Sequence, residues 1–274
     1  MFPVILSFFI LSFSFHSFSS AKIVEAERLE QFQKILNNLN MQSLVMWDVD
    51  NMLIFMADKI LSPGNELKKI EIQRAYFDGN LFANRIDLFS KILNKASFHL
   101  VEPGLADAVL SLQRRGIPTM AFTAMKTGSF GVIDSMEKWR IDQLNRLGID
   151  FTNFRPCRQN LSWKGGANPL MGSPAFQAGV LCSDHLPKGP VLEKFLNTIH
   201  WKPSIVIFID DTLECLISVK NTLKQLNIPY IGVHYHAVRK MNIPVDSEIA
   251  HFQFQYLAET GIWLTDAEAE QAMQ

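Results

Sequence analysis

The sequence predicts an α/β protein with a doubly wound parallel sheet and a small, mostly helical segment inserted after the first strand. Short, strongly apolar runs alternate with amphipathic helical stretches along the chain, the pattern of a parallel sheet covered by helices on both faces. Apolar residues make up 48% of the 274 positions and charged residues 19%, so the chain can bury a large core. The block between the first two strands is too long for one crossover helix, which indicates an insertion.

The first 21 residues predict a signal peptide. They contain no Lys, Arg, Asp or Glu, and their dense apolar stretch runs from Phe2 to about Phe15. Ser19 and Ala21 supply small residues at the −3 and −1 positions of a cleavage site, and the stretch is short for a spanning helix, which needs about 20 apolar residues. Because no basic residue precedes it, an uncleaved anchor is the alternative. We expect an exported protein, periplasmic or secreted, with no stable membrane span after leader removal.

The elements that follow the leader are a helix, a buried strand and the insertion. Residues 25–40 carry apolar side chains near helical spacing. The run at 44–47 is apolar throughout, as expected of a strand buried on both faces. Residues 51–98 are mostly helical in pattern, and Ser62 and Pro63 are suited to the N-cap and the first helical position. We predict that this block forms a lid.

The alternation continues through the second half of the chain. A helix ended by Gly116 leads into a strand at 119–123, and a further helix stops at Gly148. Glycines and prolines in residues 151–187 predict loops with one hairpin strand. The clearest buried strand follows at 205–209, and a helix, a last strand and a helical tail complete the pattern.

Acidic and hydroxyl side chains stand where the three apolar strands end. Asp48 and Asp50 follow the first strand, Thr123 ends the second, and Asp210 and Asp211 end the third. Because the carboxyl ends of parallel strands share one sheet edge, these side chains should converge. Their mutual repulsion raises their pKa values unless a cation lies among them. An all-oxygen ligand set favours Mg²⁺ over zinc, so the sequence predicts a magnesium site.

Four short stretches carry a resemblance to a known family. "VMWDVDNML", "TMAFTA", "LPKGPVLEKFL" and "IVIFIDD" resemble, in this order over roughly residues 41–237, the four motifs of the haloacid dehalogenase superfamily. Each motif alone is weak, but the ordered set is specific, and the chain is also similar to an uncharacterised exported branch of that superfamily. The resemblance implies a Rossmann-like domain over 22–274, with 51–98 as its cap and 151–187 as a loop and hairpin insertion. It further implies a Mg²⁺-dependent phosphatase of a small phosphorylated substrate.

The resemblance also implies a role for each site residue. Asp48 would be the nucleophile that forms an aspartyl-phosphate, and Asp50 the general acid for the leaving oxygen and then the base for water. Thr123 and Lys188 would hold the phosphoryl oxygens and stabilise their charge in the transition state. The ligands of Mg²⁺ would be Asp48, the Asp50 carbonyl and either Asp210 or Asp211.

One position departs from the superfamily pattern and keeps other functions open. Two residues after the second aspartate the superfamily usually has Thr or Ser, whereas this chain has Met52. That hydroxyl supports the loop and does no chemistry, so a phosphohydrolase is the first interpretation. The alternatives are a phosphate- or partner-binding protein on the same fold with weakened catalysis, and a structural surface protein that uses the lid as an interaction face. The sequence predicts neither the substrate nor the oligomeric state.

Other features of the sequence restrict the remaining possibilities. The formal net charge is −1 and no Lys/Arg-rich run occurs, which argues against nucleic acid as a partner, because phosphate contacts need clustered basic side chains. Cys157 and Cys182 either pair in an oxidising compartment or stay free. His234 and His236 face the same way on a predicted strand and could ligate a metal, but we favour the simpler interpretation of a strand end that meets solvent.

Overall fold

The computed structural model describes residues 21–77, 82–164, 172–241 and 243–274. The strands within these ranges are β1 (Lys22–Ala26), β2 (Ser43–Trp47), β3 (Ile54–Met56), β4 (Phe98–Leu100), β5 (Thr119–Thr123), β6 (Leu161–Ser162), β7 (Ala175–Gln177), β8 (Val180–Cys182), β9 (Ile205–Asp210) and β10 (Tyr230–Tyr235). The α-helices are α1 (Glu30–Asn37), α2 (Glu66–Phe77), α3 (Phe82–Lys95), α4 (Gly104–Arg114), α5 (Met136–Arg146), α6 (Lys188–Thr198), α7 (Leu213–Gln225), α8 (Ser247–Thr260) and α9 (Asp266–Ala272). The fold is therefore α/β.

The central sheet has eight strands and is mostly parallel. Its order is β1–β10–β9–β2–β5–β8–β7–β6. β7 pairs antiparallel with both β8 and β6, and the other pairs of this sheet are parallel. β2 lies between β5 and β9 and is parallel to both. The prediction that the strands at 44–47, 119–123 and 205–209 are adjacent and parallel is confirmed.

Both faces of the sheet are buried, which explains the continuous apolar run of β2. Val45 and Trp47 pack into a hydrophobic cluster on one face, and Leu44 and Met46 pack into a second cluster on the other. The indole N–H of Trp47 donates to Thr119 Oγ1 at 2.8 Å, so this buried polar atom has a partner. A strand that is covered on both faces has no solvent-facing side, so apolar and polar residues do not alternate along its sequence.

The N-terminal part of the chain differs from the expectation of a helix over 25–40. Residues 22–26 form β1, which pairs in parallel with β10 at the sheet edge, and α1 begins only at Glu30. The side chains from Leu29 onward have the helical spacing, whereas β1 is a short edge strand whose "KIVEA" sequence has no distinct two-residue period.

Residues 151–187 contribute more to the sheet than the predicted single hairpin strand. β7 and β8 form the hairpin, and β8 also pairs in parallel with β5. Ala178 and Gly179 turn the hairpin with φ of 48° and 80°. A Cβ at Gly179 would lie 2.0 Å from the Phe151 carbonyl oxygen, so only glycine fits there. All three cysteines lie in the described residues and are free, hence Cys157 and Cys182 form no disulfide.

Residues 51–98 are mostly helical where the structure describes them. Helices α2 and α3 stand between β3 and β4, which pair as a separate two-stranded antiparallel sheet that the sequence pattern does not predict. The C-terminal region contacts this segment. Asp58 accepts from the indole N–H of Trp263, which lies between α8 and α9, at 2.9 Å, and Lys95 pairs with Glu268 on α9 at 2.7 Å.

The predicted leader lies outside the described residues except for Ala21. Among the residues that the structure describes, no helix is long and apolar enough to cross a bilayer.

Candidate active site

The ends of the neighbouring strands β2 and β9 bring two aspartates together. Asp48 follows β2, and its backbone N–H donates to the Ile209 carbonyl at 2.8 Å, which continues the ladder by one residue. Asp210 is the last residue of β9. Both side chains are buried. The parallel pairing of β2 with β9 therefore sets the two carboxylates side by side.

Lys188 lies between these two carboxylates. Its Nζ donates to Asp48 Oδ1 at 2.6 Å and to Asp210 Oδ2 at 2.7 Å, and its side chain is 2% exposed. The aromatic rings of Phe122 and Phe208 lie 5.5 and 5.0 Å from this ammonium. A buried ammonium with two carboxylate partners is charge-assisted on both sides, so Lys188 fixes the relative position of Asp48 and Asp210.

The sequence around Lys188 explains its position. Lys188 is the first residue of α6, and Gly189 comes next. A Cβ at Gly189 would lie 2.3 Å from the Ser218 carbonyl oxygen on α7, and the Gly189 N–H donates to Ser218 Oγ at 3.0 Å. The missing side chain lets α6 start directly against α7, and this packing sets Lys188 over the strand ends.

A third carboxylate completes what we call the acid site, formed by Asp48, Lys188, Asp210 and Asp211. One oxygen from each of the three aspartates lies within 4.8 Å of the others. Oxygen atoms of three carboxylates at this separation suit a hard divalent cation. The predicted convergence of Asp48, Asp210 and Asp211 is thus present in the fold.

Burial dominates the titration of the acid site. It raises the pKa of Asp48 to about 7 and that of Asp211 to about 6, and the neighbouring carboxylates add to both shifts. Burial also raises the pKa of Asp210, although the ammonium of Lys188 opposes that shift. For Lys188 itself burial disfavours the charged form, but the carboxylates of Asp48 and Asp210 outweigh it and raise its pKa. A dication among these oxygens favours their ionised forms.

Asp50 makes different contacts from Asp48. Its Oδ1 accepts from Arg140 Nη2 at 2.6 Å, and Thr123 Oγ1 donates to its Oδ2 at 3.4 Å. The Thr123 hydroxyl in turn accepts from the Met125 N–H at 3.1 Å. The Asp50 side chain is 46% exposed, so it is held on two sides and remains open to a ligand.

Arg140 is the residue of this region that sequence reasoning does not find. Its side chain is 4% exposed, and its Nε and Nη1 have no hydrogen-bond partner among the described residues. Its guanidinium lies 5.6 Å from the centre of the Phe98 ring and 4.9 Å from that of Trp139. An arginine in a polar helix usually faces solvent, so only the packing of α5 distinguishes it.

The loop after Asp50 is stabilised by apolar packing. Asn51 has a φ of 62°, and the backbone N–H groups of Leu53 and Ile54 both donate to the Val49 carbonyl at 3.0 Å. Met52, the position that departs from the superfamily pattern, is fully buried in the core. The thioether of Met52 therefore supports this loop by packing in the core.

Comparison with known proteins gives one family and relatives from two bacterial genera. The family model described as "Protein of unknown function (DUF2608)" matches residues 25–270. An uncharacterised protein of Rickettsia prowazekii is 23% identical over 238 residues, which cover 85% of this chain and 84% of that protein. An uncharacterised protein of Rickettsia felis is 24% identical over 257 residues, 90% of this chain and 86% of its own. A Chlamydia trachomatis protein named "Putative outer membrane protein" is 29% identical over 131 residues, 43% of this chain and 50% of its own.

Proposed function

The chain belongs to the DUF2608 family, and for this member we propose the activity of a Mg²⁺-dependent phosphohydrolase that acts on a small phosphate ester. The observation that carries the proposal is the buried Lys188 between Asp48 and Asp210. A carboxylate nucleophile for phosphorus needs positive charge beside it, because negative charge on the phosphoryl group otherwise repels it. The proposal includes a doubly wound core of the haloacid dehalogenase type, with residues 51–98 as its cap.

The donor set of the acid site fits Mg²⁺. Asp48, Asp210 and Asp211 offer carboxylate oxygens within 4.8 Å of one another, and neither histidine nor cysteine belongs to this group, which matches the preference of Mg²⁺ for oxygen. These three carboxylates and the backbone carbonyl of Asp50 would hold the ion. When bound, Mg²⁺ neutralises charge on the phosphoryl oxygens.

In the first chemical step, a carboxylate oxygen of Asp48 forms a bond to phosphorus and the bond from phosphorus to the ester oxygen breaks. The leaving oxygen takes the proton of the Asp50 carboxyl group. Lys188 holds Asp48 in position through the 2.6 Å hydrogen bond and adds positive charge near the phosphoryl oxygens. The Thr123 hydroxyl donates its single proton to Asp50 Oδ2 in the structure, and in this proposal it turns that proton to a phosphoryl oxygen.

In the second step, Asp50 acts as a base. It takes a proton from a water molecule, whose oxygen attacks phosphorus while the bond to Asp48 breaks, and inorganic phosphate and both carboxyl groups are recovered. Arg140 fixes the side chain of Asp50 for both steps through its 2.6 Å hydrogen bond. Arg140 is thus a positioning residue in this proposal.

Met52, at the position where the superfamily motif has Thr or Ser, keeps open a second candidate, a phosphate- or partner-binding protein with weakened catalysis on the same fold. The loop of Asp50 is held by core packing, so the site can bind phosphate whether or not turnover is fast.

We also propose that the protein is exported, because the predicted leader and the name of the chlamydial relative, which refers to the outer membrane, point the same way. The proposed partner is a small phosphorylated molecule and no nucleic acid.

The test is phosphatase activity on aryl and alkyl phosphates, with and without Mg²⁺, in the wild type and two variants. Asp48→Asn removes the attacking oxygen, so activity should fall to background. Asp50→Asn removes the proton donor and should lower turnover of alkyl phosphates by about 10²–10⁴-fold, with a smaller loss for aryl phosphates, whose leaving group needs less help. Asp107→Asn changes an exposed aspartate on α4 and should leave activity unchanged.

Beryllium fluoride, which mimics an aspartyl-phosphate, tests the nucleophile assignment, and Mg²⁺-dependent turnover separates the two candidate functions. It should bind the wild type and Asp50→Asn but not Asp48→Asn. Wild-type activity in Asp48→Asn would show that the nucleophile assignment is wrong. Phosphate binding without Mg²⁺-dependent turnover in the wild type would instead support the binding protein.

A further inference from the structure

A second group of possible metal ligands lies at the edge of the sheet, beside the acid site. Glu25 on β1 and His234 on β10 are partners in the parallel ladder, and neighbouring strands lie roughly 4.8 Å apart. His236 follows His234 by two positions, so both histidines face the same side of the sheet. We call Glu25, His234 and His236 the edge site.

The side chains of the edge site are in contact with one another. His234 Nδ1 lies 3.1 Å from Glu25 Oε2, and His236 Nε2 contacts the same oxygen. One ligand atom from each residue lies within 4.8 Å of the other two. The two imidazole rings are 3.9 Å apart between centroids. Three side chains that can act as metal ligands therefore lie together.

The hydrogen bonding of His234 indicates which of its nitrogens is free to bind a metal. Its Nε2 lies 3.2 Å from the backbone carbonyl oxygen of Asp211. A carbonyl oxygen only accepts, so the proton of a neutral His234 ring is on Nε2 and the lone pair is on Nδ1. This is the arrangement of metal-binding histidines, which donate their other N–H to a carbonyl or carboxylate.

The same arrangement leaves two acceptors facing each other. The lone pair of His234 Nδ1 then points toward the carboxylate of Glu25, which also only accepts. A second proton on the ring or a cation between the two atoms removes this mismatch. His236 offers a further nitrogen, Nε2, to such a cation. Its Nδ1 has no hydrogen-bond partner among the described residues, so the ring can carry its proton on Nδ1 and leave the lone pair on Nε2.

We propose that Glu25, His234 and His236 bind a divalent first-row transition metal ion, with Zn²⁺ as the preferred ion. Two imidazole nitrogens and one carboxylate oxygen form the His₂Glu set of zinc sites that keep an open coordination position, and imidazole ligands disfavour Mg²⁺. The Glu25 side chain is 64% exposed, so water can reach the fourth position. The proposal is independent of phosphohydrolase activity.

The edge site also contacts the acid site through the backbone. The Asp211 carbonyl accepts from His234 Nε2, and Arg239 Nη2 donates to the same carbonyl at 3.0 Å. Asp210, the residue before it, is the ladder partner of His234. A metal ion at the edge site would restrain the imidazole ring of His234, which donates to the backbone carbonyl of Asp211.

Zn²⁺ titration of the full-length chain tests the proposal. After chelation and removal of the chelator, calorimetry is performed in excess Mg²⁺, so that the acid site is saturated. The wild type should bind one Zn²⁺ per chain. Glu25→Gln and His236→Gln each remove a ligand and should weaken Zn²⁺ binding by more than about 100-fold, since even partners of ligands contribute up to this factor. His99→Gln, an exposed histidine on β4, and Asp48→Asn should leave it unchanged.

Two further measurements make the outcome decisive. Co²⁺ in place of Zn²⁺ should give the visible absorption bands of a four-coordinate site, and these should disappear in His236→Gln. Glu25 is exposed and His236 is partly exposed, so metal-free variants should unfold at the wild-type temperature. Equal Zn²⁺ affinity in the wild type and both variants, loss of binding in Asp48→Asn, or no Zn²⁺ binding by the wild type would each overturn the proposal.

Discussion

The acid site and the edge site lie at the same end of one sheet, on the neighbouring strands β9 and β10, but they manage charge differently. At the acid site the carboxylates of Asp48 and Asp210 are buried against the ammonium of Lys188. At the edge site Glu25 is 64% exposed and faces two imidazoles. Water screens the edge site, whereas the acid site depends on charges supplied by the protein or by an ion. Burial, more than the number of charged groups, separates the two sites.

The largest effect on stability is expected when the buried ammonium is removed. Lys188→Met leaves Asp48 and Asp210 buried without their partner and should lower the free energy of unfolding by about 3–5 kcal/mol. Lys194→Met, an exposed lysine on the same helix, should change it by less than about 0.5 kcal/mol. Urea denaturation at pH 7.5 in chelator measures both. A cost below about 1 kcal/mol for Lys188→Met would show that the acid site is solvated like the edge site.

A second test is the pH dependence of stability without metal. Burial raises the pKa of Asp48 to about 7 and that of Asp211 to about 6, so the folded protein binds protons that the unfolded chain has released above about pH 4. The free energy of unfolding should therefore fall as pH rises from about 4 to 7, by up to about 1.4 kcal/mol per pH unit for each proton.

Two variants assign that pH dependence to its source. Asp48→Asn should flatten the decline in stability, and Asp107→Asn should not. Added Mg²⁺ should stabilise the wild type more at pH 7.5 than at pH 5, because ionised carboxylates bind it. A free energy of unfolding that rises from pH 4 to 7 in chelator would contradict the burial of these carboxyl groups.

The smallest effect is expected at the edge site. The pH dependence of stability there has the opposite sign. The hydrogen bond from His236 lowers the pKa of Glu25, so any contribution of Glu25 to the free energy of unfolding is lost as pH falls. Because its side chain is largely exposed, Glu25→Gln in metal-free protein should change the free energy of unfolding by less than about 1 kcal/mol. Urea denaturation at pH 7.5 measures it, and a loss above about 2 kcal/mol would show that the edge site is structural without metal.

The acid site could be predicted because it follows from strand ends. Asp48 and Asp210 end apolar runs, and parallel pairing of those runs brings their ends together. The aspartates need only local pattern and the rule that parallel strands share an edge. Lys188 is different, because its place in the site is implied by the resemblance to the third superfamily motif.

The edge site and Arg140 depend on information that local pattern does not contain. From the sequence we favour a solvent-facing strand end over a metal site for His234 and His236. The third ligand, Glu25, comes from a strand over 200 positions away whose sequence has no strand period. Arg140 is buried by the packing of α5 against Phe98 and Asp50, although an arginine in a largely polar helix is expected to face solvent. Tertiary contacts decide both cases, and a helix or strand pattern does not include them.

The contact of Asp58 with Trp263 has a consequence for the order of folding. The two residues are 205 positions apart, and Glu25 and His236 are 211 apart. Contacts of such long separation form slowly, because a long loop must close before they contribute. Glu25 and Asp58 are synthesised early, but these two contacts cannot form until His236 and Trp263 have been synthesised. A nascent chain halted before Trp263 therefore has Asp58 without the indole that it meets in the finished protein.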